Sequence, residues 1–238
     1  MGTIDTNLSA DVTEFVAKVK TDAEQAFRVL RETDTTTAYG TVGFVVRVPG
    51  HEKLVVVNDP GPWDRHQSIE PAVIGFDGTV FSGNHAGGKR YNKLFVEHPD
   101  INIISHVHTL YVAAWAQTHR TFPINYVALN RHHLIRELPI YIDRRQPEVD
   151  FIIEKVNQNP QTFAILEANG GGTIWGNGGI RQLTESIILL EEAARLQLLA
   201  EAVGGSRNYG PGVLKQNWNM TGLYEEGKKL GLVPVTDL

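Results

Sequence analysis

The stretch "IISHVHT", residues 103–109, decides how this chain is read. Ile103, Ile104 and Val107 are β-branched, so the run reads as a buried strand over residues 103–108. In a strand, side chains two apart leave the same face, so His106 and His108 point together and their rings can share one ion. Alone, such a pair has two readings: a metal site, or histidines that are merely packed or exposed. The flanking sequence separates them.

Upstream, Val12, Phe15, Val16, Val19, Ala23, Phe27 and Leu30 recur at helical steps and predict a helix over residues 11–31. Strands are expected over 41–47, 54–58 and 79–81, then a helix over 89–97 that stops at a proline. Downstream, the apolar run 110–117 suits an interior helix. "INYVAL" and "LPIYI" read as strands, residues 147–157 as a helix and 162–167 as a strand ending in "ANGGG". A long helix over 181–203 shows Leu183, Ile187, Leu190, Ala194 and Leu198 on one face. Residues 204–238 read as a loop followed by a short helix. With no internal repeat or linker, the expectation is a single α/β domain over residues 1–238.

The composition is that of a soluble globular chain: 238 residues, 42% hydrophobic, 21% charged, net charge −5. Lys and Arg are scattered, which argues against nucleic acid and against a membrane surface. No apolar run approaches a membrane span, and the polar N-terminus does not read as a signal peptide; a cytoplasmic location is expected. Cysteine is absent, so any metal must use His, carboxylate, backbone or water.

The order of pieces resembles the class II aldolase/adducin family. Asp77, Gly78 and Gly83 match its D-G-x-v-x-x-G element, Pro99 and Asp100 its R-P-D turn, and His106 and His108 its H-t-H strand end. Asn169, Gly171, Trp175 and Gly176 match its N-H-G-x-x-x-x-G element before a long helix. The resemblance spans residues 11–203. It implies an α/β/α sandwich around a mostly antiparallel sheet, and a homotetramer with active sites at subunit interfaces. It also implies a divalent metal, usually zinc, held by three histidines, which polarises a carbonyl and lets a carbon–carbon bond form or break.

Three departures from the family pattern matter. The third metal histidine falls on Gly170, which has no side chain to ligate. The family's catalytic glutamate falls on Gly87, or on Gly88 with a slip of one. The phosphate-binding pieces are altered in three segments: Gly43 stands for an asparagine, "NDPG" (58–61) for T-P-S-G, and His85 and Ala86 for paired serines. A dianionic phosphate needs several convergent donors, so these losses argue against a sugar-phosphate substrate.

Several residues are candidates to rebuild the site. His85, in "GNHAGG", is the leading replacement for the third ligand or a contact to substrate. Glu167 is the second, set against a plain reading as a carboxylate facing solvent or a lysine. His132, in "NRHHL", matches a position from which some epimerases of the family send an acid/base residue into a neighbouring subunit's site; the phase between His132 and His133 stays open. Tyr209 falls where some family aldolases place a tyrosine from the adjacent subunit. Arg90, beside Lys89, offers a fork for a carboxylate, Trp63 a cover for an apolar substrate, and Asn169 a substrate contact. Gly170, Gly171 and Gly172 read as small residues that leave space for a ligand.

The expected function is a metal-dependent lyase, cleaving or decarboxylating a non-phosphorylated oxo- or hydroxy-acid. His106, His108 and His85 would hold a divalent ion: zinc, with iron(II) or manganese as alternatives. Two other readings remain at this level: a non-haem iron(II) oxygenase on the same fold, and a non-catalytic, adducin-like binding module.

Overall fold

In the computed structural model, which describes residues 8–83 and 88–233, helix α1 (Ala10–Glu32) precedes four strands: β1 (Val42–Arg47), β2 (Lys53–Asn58), β3 (Ala72–Gly75) and β4 (Val80–Ser82). A 3-10 turn (Gly88–Tyr91) leads into α2 (Asn92–Glu97), followed by β5 (Ile103–Val107) and α3 (Leu110–Ala116). The short strands β6 (Phe122–Pro123) and β7 (Glu137–Leu138) pair with each other and enclose the single-turn helix α4 (Val127–Asn130). Then come β8 (Ile140–Tyr141), α5 (Glu148–Gln158), β9 (Ala164–Glu167), β10 (Gly172–Gly176) and α6 (Ile180–Glu201). Helices α7 (Pro211–Thr221) and α8 (Tyr224–Lys229) close the described chain.

The main sheet has eight strands in the order β4-β3-β2-β1-β5-β10-β9-β8, antiparallel throughout except for the parallel pair β8/β9. Alternation along each strand feeds two cores. Phe44, Val46 and Val107 pack with Phe27, Trp115 and Leu190, from α1, α3 and α6. Val45, Ile104 and Trp175 pack on the opposite face with Phe95 and Ile152, from α2 and α5. The result is the expected α/β/α sandwich around a mostly antiparallel sheet. Among the described residues no helix is long and apolar enough to cross a membrane.

Three expectations are corrected. "INYVAL" is not a strand: residues 127–130 form one helical turn, too short to show any period. Residues 211–221, expected to be loop, form α7, which starts on Pro211 and stops at Gly222 with φ +74°. Its few apolar contacts are strong: Leu214 and Trp218, one turn apart, pack on Leu134, and Trp218 Nε1 donates to the Asn130 carbonyl at 3.0 Å. Finally, "GGGTIWG" contains the interior strand β10. A side chain at Gly171 would lie 2.1 Å from the Val107 carbonyl oxygen and 2.8 Å from the His108 ring. This glycine therefore lets two backbones meet; it does not open space for a ligand.

Two buried polar groups bear on stability. The Glu191 carboxylate, from α6, accepts the N–H groups of Tyr111 and Val112 at 2.7 and 2.9 Å, capping α3 immediately after the His108 strand end. At the other end of the sheet His133 stacks on Phe163, with centroids 3.5 Å apart and planes 12° from parallel. Burial, with the charge of His132 adding to it, pushes the His133 imidazole down to about 3.

Glu191→Ala strands two buried amides, so the expected cost is about 2–4 kcal/mol, a fall of roughly 5–10 °C in Tm. The His133 effect has a defined sign. The unfolded ring takes up a proton near pH 6.5 and the folded ring only near 3, so its contribution is intact at neutral pH and shrinks as pH drops from about 6.5. At pH 5 the loss is about 2 kcal/mol. Urea titrations at pH 7 and pH 5 should therefore show a smaller stability difference for His133→Phe than for wild type; equal differences would contradict the assignment.

Candidate metal centre

The sheet register assembles the site. Gly43, His106 and Thr173 are partners in one row across β1, β5 and β10. Ile165 of β9 pairs with Thr173, and Glu167, two residues on, points from the same face. This is the face covered by α2 and α5, and it brings two further groups over the row: Glu148, in the first turn of α5, and Tyr91, at the end of the 3-10 turn.

His106 is held from both sides. Its Nδ1 lies 2.8 Å from Glu167 Oε1 and 3.2 Å from Thr173 Oγ1, and its Nε2 lies 3.2 Å from His108 Nε2. Thr173 Oγ1 also sits 2.8 Å from Glu167 Oε1 and 2.7 Å from Glu148 Oε1, which accepts the Tyr91 hydroxyl at 3.1 Å. Arg90 stands 3.8 Å from the other Glu148 oxygen.

Two donor sets thus share His106. One consists of His106, Glu148 and Glu167, whose ligand atoms lie within 4.8 Å of one another, a spacing a cation can span. Thr173 Oγ1, however, is within hydrogen-bond distance of all three and stands between them. The other set is the Nε2 pair. Two imidazole nitrogens on one tetrahedral ion are about 3.3 Å apart for bonds of 2.0–2.1 Å, and the observed 3.2 Å matches that bite. Nδ1 of His106 faces the Glu167 carboxylate and Thr173, so Nε2 is the nitrogen turned toward His108, the carboxylate–histidine arrangement that orients metal ligands. The Nε2 pair thus fits two positions on a divalent cation, backed by Glu167, Thr173 and Glu148; among the described residues no third His, Cys, Asp or Glu joins it.

Burial pushes the Glu167 carboxyl up, but the hydrogen bond and charge of His106 outweigh it, and the net shift is downward. Burial and the charge of His106 lower the His108 imidazole, against an opposing pull from Glu167. His108 therefore presents a neutral ring, the form that ligates. Burial, then the Glu148 charge, raises Tyr91 well above the usual phenol range. Thr173 has one proton for two carboxylates, so it can donate to only one of Glu148 and Glu167 at a time.

The other sequence candidates are placed as follows. His85 lies outside the described residues. Arg90 and Trp63 border the same cavity as His106; Lys89 does not. Asn169, in the left-handed region at φ +57°, is occupied with Gln117 and His119, at 2.7 and 2.6 Å. His132 lines a different cavity at the far end of the sheet. Tyr209 donates to the Ile124 carbonyl at 3.3 Å and lies under the Arg136 guanidinium. Within one chain His132 and Tyr209 share no hydrogen bond or cavity with His106. Glu167 is buried and bonded to the histidine pair, overturning its plain reading as a solvent-facing carboxylate. Sequence reasoning missed Thr173, Glu148 and Tyr91. Strand phase would have found Thr173 once β10 was seen; nothing local marks the other two.

A family model for the class II aldolase and adducin N-terminal domain matches residues 25–198. No curated protein matches the sequence. Among solved structures, an L-fuculose 1-phosphate aldolase superposes with a TM-score of 0.69 at 16% identity, covering 90% of this chain and 98% of its own. L-fuculose 1-phosphate aldolase from Glaciozyma antarctica PI12 gives 0.68 at 18% identity, with coverages of 94% and 93%. An aldolase II superfamily protein from Pseudomonas syringae gives 0.66 at 16% identity, with 94% and 96%. At these identities the superpositions establish the fold alone. Together with the family match over most of its length, they mean that this chain belongs to the class II aldolase and adducin family.

Proposed function

We propose that the protein is a metal-dependent lyase that cleaves or decarboxylates a non-phosphorylated oxo- or hydroxy-acid. The observation that carries this reading is the Nε2 pair of His106 and His108 at 3.2 Å, with the opposite nitrogen of His106 held by Glu167. A bound divalent cation supplies a Lewis acid that polarises a carbonyl and stabilises the negative charge left when a carbon–carbon bond breaks. The chain's own groups do the rest. Glu167 and Thr173 fix the tautomer and tilt of His106, and Tyr91 with Glu148 closes the inner wall. Zinc is the ion of choice, with iron(II) or manganese as substitutes.

The proton-transfer residues, His132 and Tyr209, are remote from His106 within the chain, and on this reading they act from a neighbouring copy in a homotetramer. The oxygenase alternative is less well supported. Its facial triad needs a carboxylate on the same ion as both imidazoles, whereas Glu167 lies against Nδ1.

Metal analysis of tag-free protein tests the reading directly. After loading with zinc, iron(II) or manganese and dialysis, wild type should retain about one ion per chain, and His106→Ala/His108→Ala almost none. Glu167→Gln should bind the ion roughly 10–100-fold more weakly while keeping its fold. Equal, near-zero metal in wild type and double variant under all three loadings would remove the lyase assignment.

A further inference from the structure

A cavity of about 480 Å³ opens beside His106 between β1, β2, the 59–64 loop and the 3-10 turn, a size ordinary for a small-molecule site. We infer that this cavity selects a monoanionic carboxylic acid carrying an apolar, ring-sized group, with the carboxylate on Arg90 and the ring against Trp63 and Tyr39. The inference rests on the lyase reading above and names its substrate class.

Three observations point this way. First, Trp63 and Tyr39 both line the cavity, yet they are 94% and 78% exposed. Aromatic rings left bare at the rim of a concave site gain most by covering an apolar ligand. Val45, Val56, Pro60 and Pro62 extend the apolar surface inward.

Second, among the described lining residues Arg90 is the one Lys or Arg side chain. Its guanidinium lies 4.8 Å above the Tyr91 ring and only loosely against Glu148, at 3.8 Å, and its side chain is 46% exposed. That leaves a planar fork with capacity for one carboxylate.

Third, the segment that stands where the family's phosphate loop would be is already satisfied internally. The Gly61 N–H donates to Asp59 Oδ1 at 2.7 Å, the Asp59 N–H donates to the Val42 carbonyl at 2.9 Å, and Arg31, reaching from α1, holds the Asp59 carboxylate. A side chain at Gly43 would strike Asn58 Oδ1 at 2.2 Å, so Asn58 fills the space of the lost asparagine. Asp64 adds a second carboxylate to the wall. Two aspartates and spent amides beside one arginine disfavour a dianion more than a monoanion, because the repulsion grows with the ligand's charge.

The test is calorimetric titration of the metal-loaded full chain with phenylpyruvate, pyruvate and dihydroxyacetone phosphate as probes. Phenylpyruvate should bind at least about tenfold more tightly than either of the others. Trp63→Ala should abolish its advantage over pyruvate without altering pyruvate binding, and Arg90→Gln should weaken both acids about tenfold. The inference is overturned if dihydroxyacetone phosphate binds as well as phenylpyruvate, or if Trp63→Ala leaves the ratio unchanged. A Trp63→Ala protein that changes oligomeric state would also overturn it, because Trp63 would then belong to a subunit contact. Metal content measured on the same wild-type samples separates the two readings. A surviving aromatic preference in a wild type that retains no metal defeats the lyase reading alone; metal retention with no preference defeats the cavity assignment alone.

Discussion

The 2.8 Å contact between His106 Nδ1 and the Glu167 carboxylate is the one on which the site depends. An imidazole has two nitrogens and, when neutral, one proton; the partner of one nitrogen decides what the other can do. Glu167 takes the Nδ1 side, so Nε2 faces His108. Both carboxylate and ring are fixed by backbone geometry, because the β5/β10/β9 register puts His106, Thr173 and Glu167 on one face of three adjacent strands. Glu191 extends the same control past the end of β5: by capping α3 it sets where the chain turns after His108.

By the family pattern the third ligand is expected at Gly170, and the strands around that position are intact. Gly170 still lies over Glu167, its missing side chain 3.3 Å from the Glu167 Cβ. What replaces the lost imidazole is a second layer: two carboxylates, a hydroxyl and a phenol packed behind the first histidine. Such a layer raises the basicity of the ligand it touches. The phosphate segments have changed in a related way, with internal partners taking the donors that a phosphate would need.

Period-two alternation made the histidine pair legible in the sequence, and helical periodicity gave α1 and α6 to within a few residues. The sandwich followed from the ordered motifs around them. What stayed hidden depended on long-range pairing or very short elements. Thr173 sits in a strand whose glycines masked it, and Glu148 reaches the site from the first turn of a helix that carries no local mark of function. Helix α7 escaped because two large residues, Leu214 and Trp218, supply most of its burial, which is too sparse a pattern to read. Glu167 was visible as a candidate; its burial could be known only once β10 was seen to lie between it and His106.

The hidden residues also place two carboxylates behind His106. Glu148 and Glu167 lie between the sheet and α5, largely removed from water, where separating two like charges from solvent is costly unless a positive charge stands nearby. Arg90 supplies part of that charge from the cavity side, and His106 passes the rest outward through its ring. A cation at the Nε2 pair therefore interacts with the buried carboxylates as well as with its ligands. On the proposed metal reading, cation binding and the packing of α5 onto the sheet would be coupled through His106.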